Sequence, residues 1–284
     1  MGITELFNYG FFRNAFLSAL LMSVACGIIG TYIVSRRMVF ISGGITHASF
    51  GGVGLGYFLG IPPLAGAAIC AVFAALITEN LTRRKILRND SIIAIMWSLG
   101  MALGIIFVYL TPGYAPNLMS FLFGSIITVN STDLWLMFTL SLVVTIFFRI
   151  LYKPILYISF DEQFARTRGI PVMLLNYILI ILVALTIVLS IRIAGIILVL
   201  SVLTIPQNIA NLFTNRFGSI MIASVIIGFT GSFMGLLISY YLDIPSGATI
   251  IFTLVVLYLA ARVVKVITFG TSKSTKRYEP EKND

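Results

Sequence analysis

The sequence predicts an all-α, polytopic membrane protein of about nine transmembrane helices, eight being the alternative count. Its N-terminus is expected outside and its C-terminus inside. Three observations carry this. Hydrophobic residues make up 59% of the chain and charged residues 10%, with a mean hydropathy of +1.04, a balance foreign to domains that fold in water. Apolar runs of near-spanning length recur from end to end. Basic residues gather in alternate connections: with Arg36 and Arg37 facing the cytoplasm, only Arg13 and Arg192 of the 19 Lys and Arg lie outside. Residues 1–264 are read as one transmembrane domain, with a polar loop at about 153–171. Residues 265–284 are read as a basic cytoplasmic tail, partly disordered.

Residues 1–10 are mixed polar and aromatic, suiting an interfacial lead-in, and carry no basic n-region of a removable signal peptide. The first span is 11–34, ended by Arg36 and Arg37; the second is 41–60, turned by Pro62 and Pro63. Residues 64–77 form the third, closed by a basic run from Arg83 to Arg88, and 92–110 the fourth. An irregular, weakly polar segment, 111–133, precedes the fifth span at 134–151. The sixth and seventh, 172–191 and 194–213, flank Arg192; Pro206, Gln207, Asn208 and Asn211 predict a break in the seventh. The eighth is 219–241 and the ninth 248–264. Asp243 is expected to cap the ninth.

The second span holds the only histidine, His47, and seven of the glycines. On a helix, Gly43, His47, Gly51 and Gly54 share one face, and Gly52, Gly56 and Gly60 form a second ladder at four-residue spacing. The imidazole therefore stands in a groove stripped of side chains. Such a groove admits a closely approaching helix or leaves a path for an ion. His47 is the candidate transient metal ligand or gate, and Gly43, Gly51, Gln207 and Asn208 are candidate pore-lining residues. The alternatives are a packing histidine bonded to a backbone carbonyl, and interhelical hydrogen bonds from the two amides.

Several classes are excluded. None of the ten Asp and Glu lies mid-span, Glu79 being nearest, so no deep carboxylate serves a proton-coupled carrier. A Ser49–His47 dyad fails because side chains two residues apart on a helix diverge. The +9 charge is the positive-inside signature plus a tail near anionic lipid, and calls for no nucleic acid. Cys26 and Cys70, inside apolar runs, are packing residues. No GxxxxGK[ST] motif occurs, so the chain binds no nucleotide and is not itself an enzyme.

The loop 159–171, SFDEQFARTRGIP, reads as a short amphipathic helix. Asp161 and Glu162 complement the dipole at its start, Phe160, Phe164 and Ala165 give an apolar side, and Arg166 and Arg168 lie near its end. Gly169 suits the stop, and Pro171 opens the next element. It is either a charged cytoplasmic loop or a helix that docks in a partner's groove.

RRMVFISGGITHASFGGVGLGYFLG resembles the GDxLSHA-type region of the ABC-3 family of bacterial permeases, which import zinc, manganese or iron. The likeness continues, in the family's order, through FLFGSIITVNSTDL, SFDEQFARTRGIP, IRIAGIILVLSVLTIPQNIANLF and YYLDIPSGATI. It implies a multi-pass protein of the bacterial inner membrane, working as a homodimer by alternating access. Two separate ATP-binding-cassette ATPase subunits would bind the nucleotide, an extracytoplasmic metal-binding protein would deliver the ion, and this chain would hold no cofactor. Asp161, Glu162, Phe164, Ala165, Arg166 and Gly169 correspond to the family's coupling helix. Three positions depart: Gly43 stands where the family commonly has Asp, Ser125 ends an FGD-like triplet, and Gln207-Asn208 replace part of a PAATA-like stretch. Loss of hard carboxylate oxygens favours zinc as the expected cargo, with manganese or iron, a siderophore or cobalamin-type substrate, and a passive channel as alternatives.

Overall fold

The structure, a computed structural model, describes residues 3–84, 88–112, 124 and 129–269. The described residues form thirteen helices: α1 (Ile3–Leu6), α2 (Gly10–Ser35), α3 (Val39–Leu59), α4 (Pro63–Arg83), α5 (Asn89–Leu110), α6 (Ser131–Ile150), α7 (Tyr152–Phe160), α8 (Glu162–Thr167), α9 (Val172–Ala194), α10 (Ile196–Val202), α11 (Ile205–Phe213), α12 (Phe217–Leu242) and α13 (Ser246–Phe269). The FGD-like position at Ser125 and the tail 270–284 lie outside the described residues.

By length and composition, eight spans suffice to cross a bilayer: α2, α4, α5, α6, α9, the α10–α11 pair, α12 and α13. The His47 helix α3 is 21 residues long but is not among them, because its glycines and histidine dilute its apolar character. Its crossing follows from geometry instead. Arg36, at the C-terminus of α2, and Arg83, ending α4, both approach Glu162 of α8, at 3.9 and 3.8 Å. The C-termini of α2 and α4 therefore share one end of the bundle. α4 starts at the other end, so α3, which joins the two helices, must traverse the bundle. The shared end carries Arg36, Arg83 and Arg166 and is the cytoplasmic one by the positive-inside rule.

Chain breaks occur where residue chemistry dictates. α3 stops at Gly60, in the left-handed conformation at φ 69°, and Pro63 starts α4 where no amide hydrogen is needed. Asn130 and Asp133 form a reciprocal capping box at the start of α6. The seventh span is broken between α10 and α11 at Leu203-Thr204, just before Pro206. Several boundaries differ from expectation. Arg192 is not between spans: it lies in the last turn of α9, paired with Asp133 at 3.2 Å. Asp243 does not start the ninth span but ends the eighth, in left-handed geometry at φ 54°. The ninth also runs on to Phe269, past the expected end at 264.

The main core gathers Phe12, Met22, Ile29, Tyr32, Leu179 and Val199, all at most 2% exposed, from α2, α9 and α10. Large apolar side chains such as Tyr109, Trp135, Phe252 and Ile267 remain exposed on α5, α6 and α13, as the lipid-facing side of such a bundle requires.

Candidate functional site

α3 lies between α4, which it meets antiparallel, and α5, which it meets in parallel. Both contacts are made by glycine. A methyl group on Gly51 would lie 2.8 Å from the Gly100 carbonyl oxygen, and one on Gly54 would lie 2.5 Å from that of Gly104. On the opposite side Gly52 abuts Gly66, and Gly56 abuts Pro63. Without Cβ atoms the backbones come close enough for dispersion contact along the whole seam. Over this length the stripped groove is filled by helix.

Gly43, one turn nearer the cytoplasm than His47, sits differently. A methyl group there would rest 3.5 Å from the Trp97 ring, an ordinary contact. With Trp97, Leu200, Ser201 and Thr204 it lines a cavity of about 260 Å³. His47 stacks on the same Trp97, ring centres 3.8 Å apart and 17° from parallel. Its Nδ1 lies 3.3 Å from the Met101 sulfur, in place of the backbone carbonyl of the packing alternative. The imidazole is half-buried, flanked by an aromatic face and a thioether. Among the described residues, no three His, Cys, Asp or Glu side chains come together as a metal cage.

The two amides part company. Gln207 is fully buried and donates from Nε2 to the Cys26 carbonyl on α2 at 2.9 Å; its Oε1 finds no partner among the described groups. It fits against Gly30, where a Cβ would clash with its side chain. Asn208 is exposed and donates to the carbonyl of Thr204, the residue just before its helix, at 2.8 Å. Ser49, on the face of α3 away from His47, donates to the Thr46 carbonyl. It lies at the floor of a second cavity of about 440 Å³, lined also by Tyr57, Asn130, Asp133 and Arg192 at the outer end.

At the cytoplasmic end the loop 153–171 is helical almost throughout, as α7 and α8. Asp161 caps α8, its carboxylate accepting from the Phe164 amide at 2.9 Å. Gly169 closes it at φ 72°, where a Cβ would strain the backbone. Ala165 is fully buried in a small cluster with Ile158, Val172 and Leu175, which seats the helix on the bundle. Phe164 and Arg166 are exposed on its outer side, and Glu162 turns inward.

Glycine-packed spans around one histidine, and a capped, seated helix on the basic face, fit the lineage that the sequence motifs resemble. The model of the ABC 3 transport family matches residues 8–265. The chain belongs to the ABC 3 transport family. A probable metal transport system membrane protein of Chlamydia pneumoniae is 39% identical, covering 93% of this chain and 89% of its own. The manganese transport system membrane protein MntC of Halalkalibacterium halodurans is 32% identical, over 90% of this chain and 88% of its own. Among solved structures, PsaBC from Streptococcus pneumoniae in complex with Fab matches with a TM-score of 0.82 and 30% identity, over 91% of this chain and 93% of the other. The protein is thus a multi-pass permease subunit of a bacterial ABC metal importer. ATP hydrolysis belongs to a separate subunit, and ATPase and binding-protein partners are implied.

The sequence singles out His47 and the short helix at 162–167 but passes over Trp97, Met101, Gly100 and Gly104. A signal for the last two was present: Gly100-x-x-x-Gly104 within an apolar run is a helix-contact pattern.

Proposed function

We propose that this permease imports manganese, as a homodimer that alternates access under the drive of its ATPase subunits. The observation that carries the metal is its likeness to the manganese permease of Halalkalibacterium halodurans over nine-tenths of the chain. This likeness supports manganese, an alternative at the outset, over zinc. The donor set is compatible with it. Manganese binds any given site more weakly than iron or zinc, so a path that passes it must not trap tighter-binding ions. With Gly43 in place of a carboxylate, His47 offers a single imidazole, and weak, incomplete coordination suits passage over storage. His47 serves as transient ligand or gate. Gly43 and the α10–α11 break shape the space beside it, with Gly51, Gln207 and Asn208 as further candidate lining when the spans re-pack. Asp161, Glu162, Phe164, Ala165, Arg166 and Gly169 form the docking helix for the ATPase.

The test is uptake of manganese, zinc and iron into vesicles holding the permease with its ATPase and binding protein, for the native chain and His47→Ala. ATP-dependent uptake led by manganese is expected, falling about tenfold or more in His47→Ala with the complex intact, the scale of a lost metal-site interaction. Preference for zinc would overturn the choice of metal, and uptake without ATP would indicate a passive channel. Undiminished uptake by His47→Ala would make the ring a packing group and move the path to Gly43 and Asn208.

A further inference from the structure

Five elements meet at the cytoplasmic end around two arginines, and the contacts are not those of a loosely solvated charged face. Arg83, the last residue of α4, donates from Nε to Glu79 Oε1 at 2.6 Å. Its Nη2 lies 3.8 Å from Glu162 Oε1 on α8, and its guanidinium carbon lies 5.7 Å from the centre of the Tyr177 ring on α9. Arg36, at the end of α2, donates to the Ile158 carbonyl of α7 at 2.6 Å and faces Glu162 Oε2 at 3.9 Å. The Glu79 side chain is only 9% exposed and that of Arg83 22%, so their bond is charge-assisted in partly desolvated surroundings.

We propose that Arg83 is the positioning residue that ties the docking helix α8 to the His47 helix. Glu79 fixes the guanidinium on α4, its Nη2 faces Glu162, and its central carbon lies over the Tyr177 ring. A shift of α8 is thereby felt by α4. Because Gly52 and Gly56 rest directly on Gly66 and Pro63 with no side chain between them, α4 cannot move far without carrying α3. The link is short: α8, Arg83, α4, the glycine contact, α3. It rests on the importer reading above and adds to it the residue through which the ATPase stroke reaches the ion path. Spatial succession alone does not establish coupling; the ratio of metal imported to ATP hydrolysed does.

The experiment uses the reconstituted permease–ATPase–binding-protein complex with manganese as probe. It compares the native chain with Arg83→Gln, Arg83→Lys, Glu79→Gln and the Arg83→Gln/Glu79→Gln pair. Arg83→Gln is expected to assemble and hydrolyse ATP while the metal-to-ATP ratio falls roughly threefold to tenfold, within the range of coupling energies known for such networks. Arg83→Lys, keeping charge but not the fork, should recover only part of the ratio. The pair should be no worse than Arg83→Gln alone, since both changes cut the same link. A native ratio in Arg83→Gln, or losses that add in the pair, would overturn the proposal. Failure of the native complex to import metal with ATP would instead defeat the importer reading. Should Arg83→Gln not assemble, Glu79→Gln gives the same reading: a reduced ratio supports the link and a native one defeats it.

Discussion

The protomer holds its helices together in two opposite ways. Within the membrane, α3 is fixed between α4 and α5 largely by glycine against backbone, with uncharged side chains such as Phe50 and Cys70 filling in beside the glycines and no ion pair in the seam. At the cytoplasmic end α2, α4 and α8 are joined by long charged side chains: Arg36 and Arg83 reach across to Glu162, while Glu79 and Arg166 pair within their own helices. The seam has no tolerance for an added atom and nothing for salt to screen. The charged knot tolerates rearrangement, because arginine side chains can re-aim, and its outer pairs weaken with ionic strength. A rigid seam joined to an adjustable knot is a sensible division of labour for a transporter. On the proposed reading, the glycine-packed helices would move together and the adjustable end would receive the stroke.

The largest expected effect comes from breaking the seam. Gly51→Ala places a methyl group 2.8 Å from the Gly100 carbonyl oxygen, inside van der Waals contact with backbone that cannot swing aside. Overpacking of this kind costs about 1–3 kcal/mol, and thermal unfolding of the purified permease should show a clearly lowered midpoint. Gly43→Ala, on the same helical stripe, meets only the Trp97 ring at 3.5 Å and should leave the midpoint nearly unchanged. Equal effects at the two positions would show that the seam is not as tight as its geometry states.

The contrast also explains what could be read in the sequence. Spans, the break before Pro206 and the short helix from Asp161 to Gly169 were legible because each is written locally, in apolar runs, caps and stops. The stripe of Gly43, His47, Gly51 and Gly54 was legible too, but not which of its glycines would be closed by a neighbour. That depends on α5 lying parallel to α3 with Gly100 opposite Gly51, a matter of helix register. Met101 and Trp97 were hidden for the same reason: they sit some fifty residues from His47 and look like ordinary apolar residues. Arg192 was misplaced because a charge near a span end reads as a boundary, whereas its partner Asp133, from another helix, lets it sit inside α9.

A second prediction uses the roomier position. Gly43→Asp restores a carboxylate four residues before His47, on the same helical face, where the 260 Å³ cavity beside Trp97 has space for it. Hard oxygen beside imidazole strengthens divalent-metal binding generally, and a given ligand set holds zinc more tightly than manganese. Equilibrium binding of zinc to the purified variant should tighten, while turnover of manganese should slow as release becomes harder. A variant that binds no more metal than the native chain would show that position 43 does not face the ion.

The smallest effect is expected at the outer edge of the knot. Arg166 pairs with Glu162 at 3.1 Å, four residues apart on one short helix, but its side chain is 63% exposed. Exposed pairs of this spacing contribute about 0.3–0.5 kcal/mol. Arg166→Gln should therefore leave the unfolding midpoint of the isolated permease almost where it was, and raising salt should erase what difference remains. Arg83, 22% exposed and bound to a nearly buried glutamate, should show a larger and less salt-sensitive shift on the same substitution. If instead the two arginines behave alike, burial is not what distinguishes them. The knot would then be a uniform charged surface, and its inner arginine would have no special hold on α4.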